Sequence, residues 1–269
     1  MGTRLIAGLA GLAVVIPILV WGGPNGVWWL MLPFLLVALN EYVRMAAPEL
    51  PMVERSVYLL AGLVVVTAAV HATAYLPTVL ALLFMGFITL PMFARESVDV
   101  AARQALRLGF GLVYVPVLMA PLALIRMEND GLGLIFFLLA STWLGDTGAY
   151  FAGRAFGKTP LFPRVSPKKT REGALGGLVL AVLGAAVFKG LFGADLDLPW
   201  VVVLVLAGVL DIAGVIGDLV ESMFKRAFGV KDSGTIMPGH GGILDRIDSL
   251  LFTGPLLWAV LQVRPLVAP

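Results

Sequence analysis

Pro199-Trp-Val-Val-Val-Leu-Val-Leu-Ala-Gly-Val-Leu-Asp211-Ile-Ala-Gly-Val-Ile-Gly-Asp218-Leu-Val-Glu-Ser-Met-Phe-Lys225-Arg226 is the stretch on which the fold turns. Residues 199–219 are nearly all apolar, and crossing a hydrocarbon core takes about 20 such residues. The run then ends in a cluster of acids and cations. Composition extends the same reading to the whole chain. Of its 269 residues 59% are hydrophobic and 13% charged, against roughly 45–50% and 25% in soluble domains. A soluble fold could not bury that much apolar surface. Cysteine is absent, which removes disulfides, thiol nucleophiles and Cys-based metal sites.

Nine apolar runs are found, at approximately 4–21, 26–46, 57–74, 76–94, 107–125, 131–151, 173–193, 199–219 and 249–265. The expected fold class is therefore an all-α polytopic membrane protein of about nine transmembrane helices. Turn chemistry separates the runs at Gly22-Gly-Pro, Pro48 to Pro51, Asn129-Asp-Gly and Asp195 to Pro199. Only Pro77 divides the third run from the fourth. The first run is read as a retained span, because no cleavage motif follows it. With the N-terminus in the cytoplasm, all but Arg126, Lys189 and Arg264 of the 19 lysines and arginines fall inside. That matches the positive-inside rule and puts the C-terminus outside.

Residues 1–130 are read as a scaffold of spans 1–5 serving lipid access and oligomer contacts. Residues 131–269 are read as the catalytic region, spans 6–9. Two long cytoplasmic loops, about 152–172 and 220–248, place function on that face.

The polar residues suggest a site for a polyanion. Asp211 and Asp218 lie two helical turns apart on one face, with Gly214 and Gly217 between them leaving room for a ligand or a helix. Asp211 either orders packing or joins the site. Asp245 and Asp248 share a face if a helix has begun there; capping by Asp248 with Ser249 is the lesser alternative. Hard cations such as Mg²⁺ take one or two carboxylates plus substrate phosphates, a role open to Asp218 and Asp245. Asp146 ends a long apolar run, with Thr147 and Tyr150 within hydrogen-bonding reach; Tyr150 reads equally as an interfacial aromatic. Gly153 to Thr159 is one residue short of a P-loop and follows a span rather than a strand, so a P-loop NTPase is rejected. Ser166-Pro-Lys168-Lys169-Thr170-Arg-Glu172-Gly173 would form an anion site at a helix N-terminus, or a basic loop contacting lipid headgroups. His240 stands in Pro238-Gly-His-Gly241-Gly242, where glycines permit close approach to a ligand. His71 reads as structural, Glu41 and Arg44 as an i,i+3 pair, and most tryptophans, Trp28 included, as interface markers.

At Ser222-x-x-Lys225-Arg226-x4-Lys231-Asp232-x-Gly234-x3-Pro238-x-His240-Gly-Gly-x-x-Asp245-Arg246-x-Asp248 the chain resembles the phosphatidate cytidylyltransferase (CDP-diacylglycerol synthase) family. Asp146-Thr-Gly-Ala-Tyr150, Gly153-Arg and the Ser166 to Gly173 block are similar to it as well, whereas the N-terminal half resembles it only in hydropathy. The resemblance implies the reaction CTP + phosphatidate → CDP-diacylglycerol + pyrophosphate, in phospholipid biosynthesis. It further implies an inner-membrane location facing the cytoplasm, Mg²⁺ held by Asp218 and Asp245, a second cation such as K⁺, and a homodimer. Expected partners are CTP, phosphatidate and the bilayer, with no nucleic acid. Asp146, Asp218, Asp245, Asp248, Lys225 and Arg226 are the expected catalytic set. Tyr150, Ser166, Lys168, Lys169, Thr170, Glu172, Ser222, Lys231, Asp232, His240, Gly241, Gly242 and Arg246 are the expected substrate contacts. The rival readings are a CTP-dependent lipid-alcohol kinase and a cation-coupled lipid or anion transporter.

Overall fold

The computed structural model describes residues 13–193, 196, 198–236 and 241–267. The helices are α1 (13–21), α2 (Gly23–Ala46), α3 (Met52–His71), α4 (Leu76–Ala94), α5 (Val98–Tyr114), α6 (Pro116–Met127), α7 (Gly131–Phe156), α8 (Arg171–Leu191), α9 (Trp200–Ala227), α10 (Leu244–Ile247) and α11 (Leu250–Val267). Among the described residues seven segments are long and apolar enough to cross a membrane, and they coincide with the second to eighth expected runs. The third and fourth runs are separated by a 3-10 turn at Thr73–Tyr75, with Pro77 in the first turn of α4. Residues 4–12 of the first run lie outside the described residues, and the last run falls on α11.

Several boundaries differ from the expected ones, among them the starts of α3 and α5, at Met52 and Val98 where 57 and 107 were expected. The loop expected from 152 is entered later, because α7 continues to Phe156. It then holds a two-stranded antiparallel hairpin, β1 (Pro160–Phe162) with β2 (Ser166–Thr170), so the fold is not purely α. Helix α9 runs on to Ala227, since polar residues 218–227 contain no helix breaker; the chain turns at Gly229, whose φ is +74°. The fifth run is broken between α5 and α6 by Pro116, which cannot donate to the helix ladder.

The chain forms two compact units: Met1–Ala123 with Phe228–Arg246, and Leu124–Ala227 with Ile247–Pro269. Residues 228–246 group with the N-terminal helices. In the first unit α2, α3 and α5 enclose Leu35, Leu39, Tyr58, Val65 and Leu112. The Tyr42 hydroxyl donates to Arg107 O at 2.8 Å and the Tyr58 hydroxyl to Leu108 O at 2.7 Å, satisfying phenols that would be costly to bury alone. The Arg107 guanidinium donates to Ala46 O at 2.8 Å and lies 5.2 Å over the Phe228 ring, which fastens the segment leaving α9 to this unit. Trp28 is buried, its ring edge-on to His71 with centroids 4.7 Å apart, so it packs within this unit.

In the second unit α7 and α8 make the most extensive helix pair. Helix α8 buries Gly173, Gly177, Ala181 and Ala185 and exposes Leu175, Val179, Leu183 and Val187. Small residues inside and large apolar residues outside are what packing in lipid selects, because apolar side chains gain nothing by leaving hydrocarbon. This is an integral membrane protein.

Candidate functional site

In the second unit, Lys169 Nζ lies 2.9 Å from Asp218 Oδ2. The hairpin thereby sets Lys169 against α9, four residues before Ser222, where the longer motif begins. Both side chains are about a third exposed or less, at 26% and 32%. Such a pair contributes about 1 kcal/mol or less to stability, so its partners can be exchanged for a ligand at little loss. Beside it opens a cavity of about 580 Å³, lined by Asp146, Tyr150, Arg154, Lys168, Lys169 and Thr170 among others. An acid and five cations or hydroxyl donors on an otherwise apolar wall suit an amphiphile with an anionic head.

The neighbours of that cavity have local duties that the sequence did not reveal. Thr170 Oγ1 caps α8 by accepting from Gly173 N at 3.1 Å. Glu172 accepts from the backbone N–H groups of Lys158 and Thr159 at 3.1 Å, fixing the start of the hairpin loop. The Tyr150 hydroxyl accepts from Arg154 at 3.2 Å, and the Thr147 hydroxyl donates to Trp143 O within its own helix rather than to Asp146. Lys168 is exposed and Ser166 half-buried on β2.

The extension of α9 carries Ser222, whose hydroxyl donates to Asp218 Oδ1 at 3.2 Å, and the buried ion pair of Lys225 with Glu221. Arg226 is exposed. Asp211 is buried and fills the space left by Gly145 of α7, where a Cβ would lie 2.0 Å from Oδ1. The room beside Gly214 and Gly217 is taken by the turn at 248–249: Ser249 Oγ donates to Gly214 O at 3.2 Å, and a Cβ on Gly217 would lie 2.6 Å from Asp248 O. Asp248 Oδ1 accepts from Ser249 N at 2.6 Å. Burial, and then the Asp218 charge, push the Asp248 carboxyl up to about 7.

An acid whose folded pKa is raised holds its proton more tightly folded than unfolded, where it titrates near 3.9. Its favourable contribution is complete below the unfolded pKa and is lost as pH rises through about 7. In metal-free buffer the melting temperature should therefore rise as pH falls from about 8 to about 5. Asp248→Asn should flatten this slope and raise the melting temperature at the alkaline end. An unchanged slope would remove Asp248 as its source.

In the first unit, Asp245 sits in the single turn α10, and α11 begins only after Ser249, so the two acids do not continue one helix. Asp245 Oδ2 accepts from Gly242 N at 2.7 Å, Ser233 Oγ at 2.8 Å and Ser233 N at 2.9 Å. Bonds to a charged acceptor contribute about 1.5–3 kcal/mol each, enough to fix a loop lacking regular structure. Gly241 has φ +79°, and a Cβ there would lie 2.4 Å from the same oxygen. Glu41 does not pair with Arg44. It is buried and accepts from Leu244 N at 2.8 Å, Ile243 N at 3.1 Å and Ser233 Oγ at 3.3 Å. The close approach that the loop glycines permit is thus made by the chain's own carboxylates. Lys231, Asp232 and Arg246 are exposed, and His240 lies outside the described residues.

Among the described residues no three His, Asp or Glu side chains gather closely enough to cage an ion. A Mg²⁺ that keeps substrate phosphates as ligands takes only one or two carboxylates. Asp218 suits such an ion, since a cationic group already sits on its Oδ2. Asp245 would meet one through its other oxygen, Oδ2 being committed to the loop.

The fold and the polar residues at the ends of its helices define a polytopic membrane protein with a cavity lined by an acid and several cations. The chain belongs to the cytidylyltransferase family, which it matches over residues 2–264. It is similar to proteins named phosphatidate cytidylyltransferase from Staphylococcus haemolyticus, at 36% identity over 259 residues, 96% of this chain and 97% of that one. It is likewise similar to those from Staphylococcus saprophyticus, at 34% over 261 residues, 96% and 97% of the two chains, and from Bacillus subtilis, at 46% over 138 residues, 51% of each. The likeness therefore reaches through the N-terminal half, beyond the hydropathy in which the sequence showed it.

Proposed function

We propose that this protein catalyses CTP + phosphatidate → CDP-diacylglycerol + pyrophosphate. The observation that carries the reading is the likeness, over 96% of the chain, to proteins named for that activity. The pairing of Lys169 with Asp218 beside an amphiphilic cavity supports it. A lipid phosphate oxygen attacks the α-phosphorus of CTP, a P–O bond forms, and the anhydride bond to the β-phosphate breaks as pyrophosphate departs. A phosphate monoester has its second pKa near 6, so the nucleophile is already ionised and needs no strong base. The difficulty is the approach of two polyanions, which clamps of positive charge relieve.

Lys168 and Lys169 would hold one anion, and Lys225, Arg226 and Arg246 the pyrophosphate or the lipid phosphate. Asp218 and Asp245 are the acids proposed to hold Mg²⁺, with Asp248 as an orienting group; bound Mg²⁺ neutralises phosphate charge. K⁺ as a second cation and a homodimer belong to the same proposal. So do nine spans with the N-terminus and the site in the cytoplasm of a bacterial inner membrane.

The test is turnover by detergent-purified protein with phosphatidate, CTP and Mg²⁺, scoring lipid-linked CMP and pyrophosphate. CDP-diacylglycerol should form and should stop on chelation. Lys169→Met should slow it about tenfold or more, the effect typical of losing one supporting charge. Phospholipid plus CDP would identify a lipid kinase instead, and substrate flux without turnover a transporter.

A further inference from the structure

Glu41 belongs to α2, far from the signature in sequence, yet it is 3% exposed and accepts from Ser233 Oγ, Ile243 N and Leu244 N. Two further observations show that the loop is shaped around it. A Cβ on Gly234 would lie 2.3 Å from Glu41 Oε1, and one on Gly242 would lie 2.4 Å from Oε2. The single hydroxyl proton of Ser233 has two acceptors, Asp245 Oδ2 at 2.8 Å and Glu41 Oε2 at 3.3 Å. The next residue, Tyr42, lies edge-on to Phe228 at 6.3 Å, so the end of α2 holds the segment at both its start and its end.

We infer that Glu41 is a positioning residue for the proposed reaction: it holds Ser233 and the 242–244 backbone so that Asp245 is presented in one orientation. The inference rests on the functional reading above. A carboxylate is required because all three of these partners donate to it. Gln would turn an N–H group toward at least one of them. Bulk at position 234 would displace the carboxylate without altering it, because the atoms nearest that Cβ are all Glu41's.

The test compares the parent, Glu41→Gln, Gly234→Ala and the double variant, by turnover and by limited trypsin digestion. Cleavage after exposed Lys231 reports the loop, and cleavage after exposed Arg103 serves as the control. Each single variant should lower kcat about tenfold or more, as losses of supporting hydrogen bonds do, with KM for CTP changed far less. Cleavage at Lys231 should accelerate while that at Arg103 does not, and the double variant should be no worse than the worse single one. Both variants within twofold of the parent, or additive losses, would overturn the inference. So would equal acceleration at both sites with lowered melting temperature, which marks a general structural role. Should the parent itself fail to turn over, the functional reading falls, and the digestion still decides whether Glu41 holds the loop.

Discussion

Asp245→Asn and Asp218→Asn are each expected to lower turnover by about two to three orders of magnitude, or ~3–4 kcal/mol of transition-state stabilisation, with the protein still folded. The reason lies in what Asn preserves. At 245 its carbonyl oxygen can take the place of Oδ2 and accept from Ser233 and Gly242, so the loop keeps its three bonds. At 218 the amide can still accept from Ser222, while Lys169 loses its counter-charge. In both cases a charge disappears and the shape remains. Turnover measured beside thermal unfolding checks this. A lowered melting temperature in proportion to the lost activity would assign these acids to structure, and activity within threefold of the parent would remove them from the proposed site.

The second large effect is on folding. Gly148→Val should abolish recovery of folded protein, because a Cβ at 148 would lie 2.6 Å from Gly176 O, a backbone atom that cannot swing aside. Gly176→Leu should do the same, since its Cβ would lie 2.2 Å from that of Ala152. Overpacking usually costs about 1–3 kcal/mol when side chains can adjust; here the two helix backbones would have to part. Size-exclusion chromatography of the detergent extract provides the check, and a monodisperse, active Gly148→Val protein would contradict the packing described for α7 and α8.

Span positions were legible because each run must satisfy the length and apolarity of a bilayer on its own. Helix ends were less so. Arg154 after Gly153, and Glu221, Lys225 and Arg226 after the eighth apolar run, were taken for the start of loops, although the helices continue through them. Asp218, Lys169 and Asp245 stood out because charge is scarce in this chain. Glu41 did not, because its partners lie about 200 residues away, and Arg44, one turn on, offered a local explanation. The one signal that could have found it was the acid itself, near the end of an apolar run. The loop glycines were read as permitting close approach of a ligand. That the occupants include the chain's own carboxylates required the fold.

The bonds between Glu41 and the loop also set a timetable for biosynthesis. Ile243 follows Glu41 by 202 residues, and chains elongate at about 5–20 residues per second. Helix α2 therefore enters the bilayer roughly 10–40 s before its partners leave the ribosome. During that interval a carboxyl group at the end of a membrane helix has none of its final donors. The first unit cannot be completed until nearly all of α9 has been threaded, so a nascent chain stalled before residue 228 would display an unsatisfied acid that quality-control proteases could recognise.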